Sequence, residues 1–165
     1  MRKVTLESVV IWMALAFITG FAAYILYKRG RMNASTAIIL PVLVFYLSFI
    51  LTITVIERRA RRKARYKLEL FWSYRKAFSG VPQLLWENFW NVVLFIPLGL
   101  MGTVLMKKHP WLAVVFGMLL SAGIELLQLL THRGLFEFDD IFHNTVGAAI
   151  GVGLYLLLRR IERKL

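Results

Sequence analysis

Long stretches of apolar residues, free of charge except for Glu125, dominate the chain and alternate with short polar segments. A helix that crosses the hydrocarbon core of a bilayer needs about 20 mostly apolar residues. Five stretches have this character, at residues 8–27, 37–56, 89–106, 111–130 and 141–158. Because only helices or closed barrels satisfy backbone hydrogen bonds in lipid, the pattern predicts an all-α integral membrane protein with about five transmembrane helices.

The first apolar stretch follows a basic start, Met1-Arg2-Lys3, as the apolar core of a secretory signal peptide does. The stretch is long, however, and no small-residue cleavage site closes it. We therefore expect a membrane anchor that is retained.

The segment at residues 57–88 differs from the apolar stretches because bases and aromatic residues are interleaved in it. Its bases up to residue 67 are Arg58, Arg59, Arg61, Arg62, Lys63, Arg65 and Lys67. Aromatic and basic residues together favour an amphipathic segment that lies in the head-group layer of a membrane. The chain is thus predicted to consist of two N-terminal transmembrane helices in 1–56, this interfacial segment, and a core of three transmembrane helices in 89–165.

Composition supports the membrane assignment and changes the meaning of the charge. Hydrophobic residues make up 59% of the chain, and its net charge is +12, from 21 Lys and Arg against nine Asp and Glu. In a membrane protein such bases contact anionic lipid head groups, so we expect membrane lipids as partners, through the basic run at 57–67, and no nucleic acid. The absence of cysteine excludes disulfides and thiolate metal sites.

The distribution of bases predicts the orientation in the membrane. With five spans, the N-terminus, the 57–88 segment and the loop before the last span share one face, which carries 12 of the Lys and Arg residues, and the other face carries nine. The positive-inside rule then places the N-terminus and the first face in the cytoplasm. Counting acids would reverse the difference, but acids contribute little to this rule.

Polar residues gather near that predicted cytoplasmic face, at the ends of the last three spans and in one loop. We call this set the polar cluster: Asn88, Asn91, Ser121, Glu125, Gln128, Arg133, Asp139, Asp140 and Asn144. Within each helix its members are three or four residues apart and so share one side. We expect three helix ends and a loop to direct these groups at a common polar pocket.

Glu125 is the most informative member, since a carboxylate inside a span costs about 2.5–3.5 kcal/mol on insertion scales and usually faces a partner or a cavity. One interpretation is structural: an ion pair with Arg133, or a protonated Glu125 that is hydrogen-bonded to Asn91 or Asn144. The other is a binding or catalytic role.

Other members of the polar cluster also have two interpretations. Asp139 and Asp140 precede the last predicted span, where acids cap a helix and favour its dipole. With Glu125 and Glu137 they could instead provide oxygen ligands to a divalent cation, Mg²⁺ or Ca²⁺. His132 and His143 are a weaker indication of a transition metal, and we predict no bound cofactor.

Small residues and one proline in the core predict helix contacts. Gly147 and Gly151 form a G-x-x-x-G step, which permits close packing within the protein or, alternatively, in a homodimer. Pro97 and Gly99 are expected to kink the third predicted span.

Three ordered motifs give a more specific indication. They are Asn88-Phe-Trp-Asn91-Val-Val-Leu-Phe-Ile-Pro97-Leu-Gly99, then Ser121-Ala-Gly-Ile-Glu125-Leu-Leu-Gln128, then a third that runs from Arg133 through Asp139-Asp140 and Asn144 to Gly147 and Gly151. Together, over about residues 68–158, they resemble the signatures of the VanZ-like membrane proteins. Glu137 stands where that family often has Asp, and His143 where it often has an apolar residue.

The resemblance implies a bacterial multi-pass protein of the cell membrane and envelope. The family is named for a member that lowers sensitivity to teicoplanin, a lipid-tailed glycopeptide antibiotic, and it implies no particular reaction. We therefore favour a non-enzymatic protein whose polar pocket binds a lipid or lipid-linked head group. The alternatives are a membrane-embedded, metal-assisted enzyme that acts on a lipid-linked phosphate or ester, and an accessory subunit whose motifs only pack helices.

Overall fold

The computed structural model describes residues 4–164 and is built almost entirely of helices. They are α1 (Leu6–Lys28), α2 (Ala34–Leu51, continued by a π-helical turn at Thr52–Ile56), α3 (Trp72–Phe78), α4 (Gln83–Leu105), α5 (Trp111–Thr131) and α6 (Phe138–Glu162). All but the short α3 are long and apolar enough to cross a membrane. The predicted all-α membrane fold with five spans is confirmed.

Two helices of the core begin earlier than their apolar stretches. Helix α4 starts at Gln83 and α6 at Phe138, six and three residues before the predicted spans. The predicted bounds are those of the apolar stretches, whereas the backbone hydrogen bonds of a helix can continue through polar residues. As a result Asn88, Asp139 and Asp140 lie inside helices.

The chain divides into two compact units, one ending at Arg59 and one beginning at Ala60. In the first unit, side-chain caps fix where both helices begin. Thr5 accepts a hydrogen bond from the Ser8 backbone N–H at 3.2 Å, and Asn33 accepts one from the Thr36 N–H at 2.9 Å. Each cap satisfies an N–H group that has no partner within its helix.

Trp12 joins α1 to the end of α2. Its ring meets the rings of Phe45 and Phe49 edge to face, with centroids 5.9 and 5.6 Å away, and its indole N–H donates to Thr52 Oγ1 at 3.0 Å. Most other side chains of α1 are exposed and apolar, as expected for a helix that faces lipid.

In the second unit, α6 packs directly on the backbone of α4 because glycines line the contact. A methyl group on Gly147 would overlap the carbonyl oxygen of Val92, and one on Gly99 would overlap that of Ala148. Gly151 lies equally close to the α4 backbone. Such small residues permit helix approach without side chains between the axes.

The core of this unit is formed by a few fully buried side chains, namely Phe95, Leu98, Ala113 and Ala148. Helix α4 continues through Pro97, which is exposed beside this core.

Residues before α3 and before α6 form a feature that sequence analysis did not predict. Strands β1 (Tyr66–Lys67) and β2 (Phe136–Glu137) pair in parallel, and the Phe136 N–H donates to the Arg65 carbonyl at 3.0 Å. This pairing attaches the basic segment to the loop between α5 and α6.

The predicted interfacial segment contains α3, which has one buried and one exposed side. Ser73 and Ala77 are buried, whereas Phe78 is 82% exposed. An exposed aromatic residue on a short helix that precedes a membrane span suits the head-group layer.

Candidate functional site

Asp139, in the first turn of α6, receives the start of α3. The carboxylate is fully buried and accepts hydrogen bonds from the Phe71 N–H, from the Ser73 N–H at 3.0 Å and from the Ser73 hydroxyl at 2.5 Å. The side chain of Phe71, which precedes α3, has no acceptor with which to cap the helix. Asp139 therefore caps a helix other than its own. One of the two interpretations of Asp139 and Asp140 has them cap the last span, but α6 starts earlier and its N-cap is Glu137.

The backbone of Phe71 is held in the left-handed region, with φ +64°. That conformation costs a non-glycine residue roughly 1–2 kcal/mol. Two contacts offset this cost: the hydrogen bond to Asp139 and an edge-to-face contact with Phe142, 5.2 Å between centroids. This turn directs the backbone N–H groups of Phe71 and Ser73 at the Asp139 carboxylate.

Asn88 and His143 extend the network around Asp139. Asn88, buried in α4, donates from Nδ2 to the Ser73 hydroxyl at 3.0 Å. His143 Nδ1 lies 2.5 Å from the Asp139 carbonyl oxygen, and Nε2 lies 2.7 Å from the Tyr74 hydroxyl. Because a carbonyl can only accept, Nδ1 carries the proton, and Tyr74 donates to Nε2 of the neutral ring. Both nitrogens of His143 are thus engaged by the protein.

Glu125 is 1% exposed and binds the loop that follows its own helix. Its Oε2 accepts a hydrogen bond from the Glu137 backbone N–H at 2.9 Å. Neighbouring members of the polar cluster shape the same loop: a methyl group on Gly134 would overlap the Gln128 amide oxygen, and the Arg133 N–H donates to the Gln128 carbonyl at 3.0 Å, closing the end of α5. The loop is therefore fixed to α5 from both of its ends.

Glu137 is the point where the loop meets α3. Its Oε2 accepts a hydrogen bond from the Trp72 indole N–H at 2.9 Å. Burial raises the pKa of the Glu137 carboxyl to about 8, the nearby Asp140 carboxylate adds to the rise, and the hydrogen bond from Trp72 opposes it. A group with this pKa takes up or releases a proton near neutral pH.

Two further pairs connect the helices. Asn91 Nδ2 on α4 donates to Asp140 Oδ1 on α6 at 2.8 Å, and Asn144 Nδ2 on α6 donates to Ser121 Oγ on α5 at 2.8 Å. The Asn144 Oδ1 atom is buried and has no hydrogen-bond partner among residues 4–164. An unpartnered buried amide oxygen costs about 1–3 kcal/mol, so this position favours a donor that the protein itself does not supply.

The structure thus brings the polar cluster to one end of α4, α5 and α6, through separate contacts. Asn91 meets Asp140, Asn144 meets Ser121, and Asn88 lies on the side occupied by α3. Trp72, Ser73 and Tyr74 contribute to the site but are absent from the predicted polar cluster. Their one signal in the sequence is their position in the 57–88 segment, where aromatic and basic residues are interleaved.

A groove runs along α3, the helix whose first turn is held by Asp139 of the polar cluster. It measures about 370 Å³, and the residues on its wall include Lys67, Trp72, Arg75 and Lys76. The Lys67 ammonium lies 5.6 Å from the Trp72 ring centroid, and Arg75 pairs with Glu69 at the surface. This hydrogen bond with Arg75 lowers the pKa of the Glu69 carboxyl. The groove combines positive charge with an aromatic wall that is hydrogen-bonded to Glu137.

The Asp139 carboxylate is largely used within the protein. Its oxygens accept three hydrogen bonds from N–H and O–H groups of Phe71 and Ser73, which take up most of the lone-pair directions that a divalent cation would need. Within residues 4–164 no group of three or more His, Cys, Asp or Glu side chains is arranged around a common point for a metal.

Comparison with known proteins gives a family and one partial relative. The chain matches the VanZ/LLP1 family over residues 36–159, about three quarters of its length. Protein VanZ of Enterococcus faecium is 36% identical over 66 residues, which cover 39% of this chain and 41% of that relative. The matched region therefore spans about two fifths of the relative's length. No solved structure matches the chain.

Proposed function

The chain belongs to the VanZ-like family of membrane proteins, and from this premise we propose that it is a multi-pass protein of the bacterial cell envelope that binds the head group of a lipid or lipid-linked molecule. The head group occupies the groove along α3, and the polar cluster holds the walls of that groove in place. The observation that carries the proposal is the direct hydrogen bond between the groove wall, Trp72, and the loop residue Glu137.

The charges of the groove favour an anionic head group. Lys67 and Lys76 are exposed on its wall, and Arg75 adds a guanidinium that is shared with Glu69. Phosphate oxygens accept charge-assisted hydrogen bonds from such groups. Trp72 supplies a flat surface for sugar or acyl carbon, as interfacial tryptophans do.

The carboxylates of the polar cluster act by positioning. Asp139 fixes the first turn of α3, which bears Trp72 and Arg75, and Glu125 fixes the backbone at Glu137. Both oxygens of Asp139 are already used in holding α3, which suits binding better than catalysis by this group.

A lipid-tailed antibiotic offers the same chemistry as a lipid-linked head group. VanZ-like proteins are named for a member that lowers sensitivity to teicoplanin. We propose that this chain affects sensitivity to such compounds through the same groove, and that sensitivity to a glycopeptide without a lipid tail is unaffected.

We also propose that the groove faces the cytoplasm. The support is the excess of Lys and Arg on the predicted face, 12 against nine. A reporter fused to the C-terminus tests this: alkaline phosphatase activity agrees with the proposed orientation, and cytoplasmic fluorescence contradicts it.

Identification of the co-purified lipid by mass spectrometry tests the binding proposal. Glu125→Gln and Arg133→Ala should abolish the effect of the protein on sensitivity to lipid-tailed glycopeptides. Lys67→Gln with Lys76→Gln should release the lipid. Each variant should stay folded and inserted in the membrane. The double variant Lys28→Gln with Arg29→Gln, which removes two exposed bases from the first unit, is the matched control. Retention of the same lipid by the Lys67 and Lys76 variant would contradict the proposal.

A further inference from the structure

A second basic groove lies at the other end of the α4–α6 bundle. It measures about 390 Å³ and lies between the end of α4, the start of α5 and the last turns of α6. Its bases are Lys107, Arg159, Arg160, Arg163 and Lys164. The polar cluster belongs to the opposite ends of the same helices, so this groove is separate from the site described above.

Among residues 4–164, the bases of this groove have no ion-pair partner. No Asp or Glu that the structure describes lines the groove. Arg159 instead lies over the Tyr155 ring, 5.8 Å from its centroid. Mutual repulsion among close like charges favours binding of an anion.

The bases follow two rows along α6. Tyr155, Arg159 and Arg163 are spaced four residues apart, as are Leu156, Arg160 and Lys164, so each row follows one side of the last turns of α6 and continues into the C-cap, Arg163, or the turn residue after it, Lys164. In both rows the residue nearer the middle of the span is apolar or aromatic, and the next two are basic. The groove therefore changes from apolar to cationic along the axis of the helix, over about 12 Å at 1.5 Å per residue.

This gradation matches one kind of ligand. An anionic phospholipid has its phosphate at the membrane surface and its acyl chains deeper, in the order that Arg163, Arg159 and Tyr155 present. A free phosphate ion would use the bases but would leave Tyr155 and Leu156 without a role. We propose that this groove is a binding site for the head-group phosphate of an anionic phospholipid, with the acyl chains beside Tyr155 and Leu156.

Bases at the end of a span also have a general use, since they anchor helices and favour the negative end of the helix dipole. Anchoring requires no common surface among different helices. Here Lys107, from the end of α4, and Pro110, at the start of α5, share one concave wall with the two rows of α6. A shared wall predicts preference for a particular lipid class, which anchoring alone does not.

The test is lipid retention by the purified full chain, measured by native mass spectrometry after incubation with phosphatidylglycerol or with phosphatidylcholine. Each protein compared, whether wild-type at the second groove or not, also carries Lys67→Gln and Lys76→Gln, so that the groove along α3 does not contribute. The variant Arg159→Gln, Arg160→Gln and Arg163→Gln removes three bases of the groove. The matched control, Lys28→Gln, Arg29→Gln and Arg31→Gln, removes three exposed bases of the first unit. Since one base near an anionic lipid contributes about fivefold in affinity, the groove variant should lose on the order of a hundredfold.

We expect the wild-type protein and the matched control to retain phosphatidylglycerol in preference to phosphatidylcholine, and the groove variant to lose that preference. Replacing the same three arginines by lysine should preserve it, which separates charge from folding. Equal retention of the two lipids by the wild-type protein, or equal losses in the groove variant and the control, would overturn the proposal. Complete displacement of the lipid by inorganic phosphate alone would overturn it as well, because the acyl chains would then add nothing.

Discussion

Replacing Asp139 by Asn should release the start of α3 while leaving the helices of the membrane core in place. The substitution preserves the shape of the side chain but turns one acceptor oxygen into an NH₂ donor. One oxygen of Asp139 accepts from the Phe71 N–H, and the other accepts from the N–H and hydroxyl of Ser73. In the Asp139→Asn protein the NH₂ group must therefore face a hydrogen-bond donor of Phe71 or of Ser73. The Phe71 N–H, already in a left-handed turn, loses its acceptor if the amide oxygen stays on Ser73.

The size of this effect follows from the number of hydrogen bonds. One charge-assisted bond worth about 1.5–3 kcal/mol is lost, and the two to Ser73 become neutral bonds worth about 0.5–1.5 kcal/mol each. The local loss is then about 3–5 kcal/mol, and every 1.4 kcal/mol corresponds to a tenfold change in an equilibrium constant. Protection of the Phe71 and Ser73 amides against hydrogen exchange should fall by roughly a hundredfold or more.

Hydrogen exchange measured by mass spectrometry on peptides that cover α3 provides the assay, with Asp140→Asn as the control. Asp140 lies next to Asp139 and undergoes the same chemical change, but the bond that it accepts from the Asn91 side chain comes from α4. Wild-type exchange at α3 in the Asp139→Asn protein would refute the capping argument. Equal deprotection in both variants would also refute it, since it would indicate a general effect of lost charge.

Other regions give sharper tests of single contacts. The pKa of the Glu137 carboxyl is about 8 in the folded chain, against an ordinary value of 4.5, so the folded state binds more protons than the unfolded state between these pH values. The free energy of unfolding should therefore fall as pH rises from about 4.5 to about 8. If thermal unfolding of Glu137→Gln shows the same dependence on pH, the assignment is contradicted. Gly147→Ala should lower the unfolding temperature, because the added methyl group clashes with the α4 backbone at a cost of about 1–3 kcal/mol. Gly153→Ala on the same helix should not, because there is open space around Gly153. Equal shifts of the unfolding temperature in the two variants would argue against close packing of α4 and α6. Trp12→Phe should lower the free energy of unfolding by about 1 kcal/mol, because it removes the indole donor to Thr52. A double-mutant cycle with Thr52→Val should show a coupling energy between the two positions. If the two losses of stability simply add, the hydrogen bond contributes nothing.

The five spans could be predicted, as could the position of polar residues at the ends of the last three, because both depend on local spacing. An apolar run of sufficient length is visible without knowledge of its neighbours. Residues such as Ser121 and Glu125, four apart, share a helix side in any arrangement of the bundle. Antiparallel succession of short-looped helices then brings the same ends together.

The partners of these residues could not be predicted in the same way. Asp139 binds backbone groups 66 and 68 positions away, and no periodicity connects an acid on one helix with N–H groups before another. The bond that Glu125 accepts from Glu137 could not be foreseen, because it comes from a backbone N–H, which nearly every residue possesses. Strands of two residues, like β1 and β2, are too short to show alternation.

Glu137 touches more elements than any simple loop position requires. Its N–H is bonded to α5, its side chain to α3, its strand is paired with Lys67, and α6 begins directly after it. Whatever moves Trp72 must either break one hydrogen bond or carry the first turn of α6 along with it. A ligand that moves Trp72 in the groove is therefore coupled, through the single residue Glu137, to the position of α6 relative to α5.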